Sequence, residues 1–184
     1  QQEGLSFINP DMVDGIEFSA GGWQAKYGDK LSSALNIKYR EPTRFSASAT
    51  AGLLGGSLHV EGLSKNKKFS YLTGARLKAA RYLLGTTEVQ GDYFPRFVDF
   101  QSFLTWKLGK SDKTKLNVLG SFASNRYEVQ PSSRETTFGT FQQVLRLFVA
   151  YEGAENMNYD TWQGGVNLEH EVSKAFTTNF ICLA

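Results

Sequence analysis

From Arg44 onward the chain alternates apolar and polar residues with a period of two, over runs long enough to dominate any choice of fold. Phe45, Ala47, Ala49, Ala51 and Leu53 fall on one face of an extended segment, and Arg44, Ser46, Ser48, Thr50 and Gly52 on the other. A turn at Leu54-Gly55-Gly56 leads to Leu58, Val60 and Gly62 opposite His59 and Glu61, which makes a hairpin. Phe69 to Ala80 sets Tyr71, Ala75, Leu77 and Ala79 against Ser70, Gly74, Arg76 and Lys78. Phe97 to Leu108 sets Val98, Phe100, Leu104, Trp106 and Leu108 against Asp99, Gln101, Thr105 and Lys107. Further on, Leu116, Val118 and Phe122 oppose Lys115, Asn117, Ser121 and Asn125, and Trp162, Val166, Leu168 and Val172 oppose Gln163, Asn167, Glu169 and Glu171.

Two properties of these runs separate the possible β architectures. Several extend for about 12 residues, where a globular strand averages about 5–6 and a tilted membrane-crossing strand takes about 9–11. Their connections also alternate in length. Tight turns at 65–68, 110–113 and 173–174 contrast with long excursions at Arg81–Arg96 and Tyr127–Tyr159, the asymmetry of bacterial outer-membrane barrels. A soluble sandwich would show shorter strands at regular spacing. Aromatic residues near strand ends (Tyr71, Tyr82, Tyr93, Trp106, Tyr127, Trp162) suit interfacial girdles, although soluble sheets carry such tyrosines too.

Composition removes other classes. Twenty basic residues against 18 acidic ones leave a net charge of +2, and the largest basic cluster is Lys65-Asn66-Lys67-Lys68, so a nucleic-acid surface is not expected. No apolar run approaches the roughly 20 residues of a membrane helix. The chain opens on polar Gln1-Gln2-Glu3 without a signal-peptide pattern, which mature processing and truncation would each explain. Cys182 is the sole cysteine and is expected to be a small buried or lipid-facing apolar side chain. His59 and His170 have no ligand partners at metal spacing, and no nucleophile, base or phosphate-loop motif is present, so neither a metal, a cofactor nor catalysis is expected.

The segment before Pro42 has a different character. It carries Ile8-Asn9-Pro10, then Ile16-Glu17 opening a short strand, then Gly22 with Tyr27-Gly28, then Ser33-Ala34-Leu35-Asn36-Ile37 and a basic exit from Lys38 to Pro42. This order resembles the end of the plug domain in the TonB-dependent outer-membrane receptor family, in the variant of the Bacteroidota. Ala34-Leu35 and Lys38-Tyr39 depart from the commoner residues of that pattern. The resemblance implies an all-β membrane barrel, antiparallel and 22-stranded when complete, with 1–42 as the last part of a plug and 43–184 as the first six to seven barrel strands. Because open sheet edges are costly in lipid, this piece would belong to a longer chain. It further implies a transporter that binds a scarce nutrient (siderophore-iron, cobalamin, a glycan or a peptide) and imports it into the periplasm. Its partners would be the TonB-ExbB-ExbD energy-coupling complex, outer-membrane lipid and a surface lipoprotein. The alternative is a soluble or surface-attached antiparallel β module for binding or adhesion.

On the plug reading, Trp23, Lys26 and Tyr27 occupy plug loops, and Arg81, Tyr82, Asp92, Tyr93 and Arg96 occupy the first outer loop, where ligand contact and plain turn packing are both open. Arg76 and Lys78 are expected to pair with Asp11, Asp14 or Glu17, or with Asp99 and Glu169. Ser33–Arg40 should pair with Ile16–Ala20, with Leu35, Ile37 and Tyr39 turned into the plug and Asn36, Lys38 and Arg40 turned to the barrel wall. Thr43–Gly52 should pair with Ser57–Ser64, and Gly28 is expected at positive φ.

Overall fold

A computed structural model describes residues 8–22, 27–28, 32–79, 92–109, 111–130, 133–140, 143–150, 155–173 and 176–184. The fold is all-β. A 3₁₀ turn, Pro10–Met12, precedes strand β1 (Val13–Ser19), which pairs antiparallel with β2 (Ala34–Tyr39) in a two-stranded sheet. Seven further strands form one antiparallel sheet: β3 (Ser46–Gly52), β4 (Gly55–Leu63), β5 (Phe69–Ala79), β6 (Asp92–Leu108), β7 (Thr114–Gln130), β10 (Glu155–Ser173) and β11 (Phe176–Leu183). Each neighbours the next, and β3 and β11 are its open edges. Between β7 and β10 a separate hairpin joins β8 (Ser133–Thr140) to β9 (Gln143–Ala150).

The expected pairings hold, with β2 against β1 and β3 against β4, and no ladder joins β2 to β3. The long strands exceed expectation. β6 and β7 each run 17 residues and β10 runs 19, so β6 spans about 56 Å at roughly 3.3 Å per residue. Two excursions are shortened as a result. Asp92, Tyr93 and Arg96 belong to β6 and not to a loop, because the β6–β7 ladder continues through Asp92↔Gln130 despite Pro95. Tyr127 and Tyr159 likewise lie in paired strand, and the excursion between them holds the β8–β9 hairpin.

The distribution of exposure decides which face is internal. Leu58, Leu77, Val98, Phe100, Trp162 and Val166 are exposed, whereas His59, Glu61, Arg76, Asp99 and Gln101 are buried. The sheet is thus apolar outside and largely polar inside. Met12, Leu72 and Phe97 are the most deeply buried apolar residues of the covered side, at 0%, 0% and 2% exposure. Strict alternation produces this arrangement, since directly opposed residues share a face and the register carries that face from strand to strand. On the outer face one row holds Phe69, Trp106, Leu116 and Leu168, and another holds Phe100, Phe122 and Trp162. Phe69 and Trp106 lie 5.0 Å apart between ring centroids, and Phe122 and Trp162 4.4 Å. Two aromatic bands therefore sit about 20 Å apart along the strands, six residues at roughly 3.3 Å each. Cys182 is exposed on this outer face beside Val166.

Two local expectations are corrected. Gly28 does not adopt positive φ; the left-handed residues after β1 are Gly21 (φ +84°) and Gly22 (φ +67°), which turn the chain as β1 ends. The faces of β2 also differ from expectation. Tyr39 stacks on Phe103 of β6 at 4.8 Å and 16°, reaching the large sheet, whereas Asn36 and Lys38 donate to Glu17 of β1 at 3.0 and 2.8 Å. The acid at Glu17, directly across from Asn36, captures the polar side chains within the small sheet and leaves the aromatic ring to meet the large sheet.

Substitution at these glycines separates the two turn assignments. Gly28→Ala, with open space around its Cβ, should change stability by less than about 0.5 kcal/mol. Gly22→Val, forced into a conformation that L residues rarely adopt, should cost about 1–3 kcal/mol. Denaturant midpoints of the two variants provide the comparison, and equal effects would count against the assignment.

Candidate functional site

The covered side of the sheet holds the best-built polar site. Asn9 begins it: its side-chain carbonyl accepts from the Asp11 backbone N–H at 3.0 Å and its backbone carbonyl accepts from the Met12 N–H at 3.1 Å. Asn9 thereby caps the 3₁₀ turn, with Pro10 fixing the first residue's φ. The capped turn presses Asn9 and Met12, both at 0% exposure, against β5. Gly74 makes this approach possible. A Cβ there would overlap the Asn9 amide and stand 3.2 Å from the Met12 sulfur.

Around that seat the sheet supplies charge. Arg76 and Asp99 are direct cross-strand partners on β5 and β6, at 6% and 1% exposure. The guanidinium Nε donates to Asp99 Oδ1 at 2.9 Å and Nη2 closes a second bond to Oδ2, a bidentate pair. Nη1 donates outward to the Ile8 carbonyl at 2.9 Å, and the guanidinium lies 5.6 Å from the Phe97 ring centroid. Arg76 therefore uses one face of its fork to satisfy Asp99 and the other to hold the segment that carries the turn.

A second arginine holds the other side of that segment. The Arg40 backbone N–H donates to the Met12 carbonyl at 3.0 Å, and its Nη2 donates to the Asp11 carbonyl at 2.7 Å. Tyr39, next to it, is half-buried against Phe103, and this burial pushes its phenol above the usual tyrosine range. Lys38 remains exposed, and its ammonium is held above its ordinary value by the hydrogen bond to Glu17 and by that carboxylate's charge.

His59 and Glu61 extend the buried cluster on β4, with His59 Nε2 3.6 Å from Glu61 Oε2, beyond hydrogen-bond length. The carboxylate that sequence spacing did not assign to His59 is thus two residues along the same strand face. Among the described residues no group of three or more metal-ligating side chains comes together. What the cluster can do is seat a short polar segment through one buried ion pair and main-chain hydrogen bonds.

Of the residues proposed from sequence as ligand contacts, only Tyr27 and Arg96 have described side chains, and neither belongs to this cluster. Trp23, Lys26, Arg81 and Tyr82 lie outside the described residues, as do the side chains of Asp92 and Tyr93. Tyr27 is half-buried beyond β1, and Arg96 is exposed at the far end of β6 on the outer face. Sequence reasoning gave Asp99 as one of five acidic partners open to Arg76, beside Asp11, Asp14, Glu17 and Glu169, and did not anticipate the bond from Arg76 to Ile8 or the seating of Asn9 and Met12. The signal for that contact was Gly74, the only residue between Leu72 and Arg76 on the inner face and the one without a side chain. No family model, curated protein or solved structure matches the chain.

Breaking the ion pair tests the seat. Arg76→Leu, which strands a buried carboxylate, should cost about 3–5 kcal/mol in denaturant unfolding, while the double variant Arg76→Met/Asp99→Leu should recover most of it. A cost for the single variant near that of a surface change would show that the pair is not buried in solution.

Proposed function

We infer that this chain is the plug-to-barrel part of a TonB-dependent outer-membrane receptor, which binds a scarce nutrient at the cell surface and passes it to the periplasm. One observation carries the reading: the long strands expose Leu58, Leu77, Val98, Phe100 and Trp162 while enclosing His59, Glu61, Arg76, Asp99 and Gln101. A soluble sandwich packs its apolar faces together and wets the others. A barrel in lipid does the opposite, and a plugged one fills its polar lumen with protein.

Dimensions agree with this assignment. From Val98 to Leu108 the outward apolar positions on β6 cover about 33 Å of strand, or about 25 Å in height at a tilt near 40°, the apolar band of such barrels. Short turns at Ser64–Lys68 and Gly109–Lys113 occupy one end, and the β8–β9 hairpin lies towards the other, so the first end faces the periplasm. Further strands beyond the edges β3 and β11 complete the barrel, since unpaired backbone in hydrocarbon costs several kcal/mol per group. The Ile8–Met12 segment is then the plug's point of attachment to the wall, and the TonB-ExbB-ExbD complex supplies the force that moves the plug. The cargo is a siderophore-iron complex, cobalamin, a glycan or a peptide, delivered with the help of a surface lipoprotein.

The full-length gene product should partition into the outer-membrane fraction and require detergent for extraction; recovery as a monodisperse protein in plain buffer would favour a soluble adhesion or binding module. Within the membrane, Leu104→Arg should destabilise the barrel by about 2–4 kcal/mol, as for a charge on the lipid face near midplane. Thr105→Arg, on the inner face beside Asn117, should cost far less. Equal tolerance of both would remove the face assignment and the membrane reading with it.

A further inference from the structure

The turn end of the sheet carries a feature that nutrient uptake does not use. Lys107 and Lys115 are direct cross-strand partners on β6 and β7, and the Lys107 N–H donates to the Lys68 carbonyl at 2.7 Å. Lys68, in the turn that opens β5, thus stands beside Lys107 of β6 and Lys115 of β7. Like charges directly opposed in a sheet are destabilising unless something offsets them. A cavity of about 300 Å³ opens over the row, lined by Lys68, Lys107 and Lys115 with Arg40, Lys67 and Glu41.

Protein groups offset only part of this charge. Lys68 Nζ donates to the Gly109 carbonyl at 2.6 Å and lies 3.9 Å from Asp112; Lys115 Nζ lies 3.9 Å from Glu41, itself 89% exposed. Arg40 Nη2 is taken by the Asp11 carbonyl. The ammonium groups of Lys107 and Lys67 have no hydrogen-bond or ion-pair partner among the described residues. Five cations line the cavity against one carboxylate, an excess of four. Asp112, beside Lys68, and Glu169, across from Lys115, lower that excess to two.

We propose that this cavity binds a phosphoryl dianion, either free phosphate or the phosphate group of a small solute, between Lys107, Lys115 and Lys67. A phosphate near neutral pH carries about −1.5 to −2 charge, which matches the residual excess, and lysine ammoniums serve it as point charges. A monocarboxylate would leave the row undercompensated. The residues of the large sheet and its turns build most of the site, so the proposal does not depend on the membrane reading.

The full-length protein, purified in detergent or buffer as its solubility dictates, should bind inorganic phosphate saturably in calorimetry against chloride of matched ionic strength. Glycerol phosphate, as the esterified form, should bind comparably if the site takes a phosphorylated solute, and at least tenfold more weakly if the site takes the free ion; either result upholds the phosphoryl site. Lys107→Gln should weaken phosphate at least tenfold while leaving Tm in phosphate-free buffer unchanged or raised, because repulsion is relieved. Lys67→Asn, which keeps the left-handed turn at φ +56°, is the second variant and should also weaken binding. Absence of saturable phosphate binding, citrate binding as tight as phosphate, or a Tm loss in Lys107→Gln that is the same with and without phosphate would each overturn the proposal.

Discussion

The buried pair of Arg76 and Asp99 is the constraint on which the rest of the structure depends. A charge at 1% exposure survives only beside its counter-charge, and these two are direct cross-strand partners. Side chains alternate across the pleat with a period of two, so placing this pair inside also places His59, Glu61 and Gln101 inside and sends Leu58, Leu77, Val98 and Phe100 out. A slip of one residue between β5 and β6 would separate the charges and reverse every face. One ion pair therefore pins the register on which the inverted burial of the whole sheet rests.

Much of the strand architecture was legible because alternation is a backbone property that needs no knowledge of neighbours. Val98, Phe100, Leu104 and Trp106 could be assigned to one face from spacing alone, and the tight turns at Lys65–Lys68 and after Gly109 from their residue types. Strand ends were less legible. The alternation fades around Pro95 and Arg96, yet pairing continues to Asp92↔Gln130, since backbone hydrogen bonds can extend a ladder after side chains cease to report it. The β8–β9 hairpin was hidden for a similar reason: Thr136, Phe138, Leu145 and Leu147 lie on one of its faces and Val144 and Phe148 on the other, which blurs the period.

The site was legible only in part because its decisive contacts are tertiary. The sequence allowed several acidic partners for Arg76, and only the register selects Asp99. Nothing local indicates that the third donor group of Arg76 reaches the Ile8 carbonyl, far along the chain. Tyr39 shows the same limit. Its alternation with Lys38 was correct, but which of the two met the large sheet depended on Glu17 lying within 2.8 Å of the lysine. Once that acid held the cation in the small sheet, the ring had Phe103 as its neighbour.

These contacts also set an order of mechanical strength. The large sheet is held by long antiparallel ladders, and pulling β6 from β7 means losing backbone hydrogen bonds along 17 residues at once. The Ile8–Met12 segment joins no ladder of that sheet; its contacts include a bond from Arg76 to Ile8, two from Arg40, and the burial of Asn9 and Met12 over Gly74. Each such bond is worth about 0.5–1.5 kcal/mol net, or somewhat more when the donor is charged. Withdrawing the segment does not break the Arg76–Asp99 pair, which keeps its own two bonds and stays neutral as a unit. Within the large sheet the charge pair is therefore satisfied with or without the segment, and the register it pins does not depend on the segment being seated.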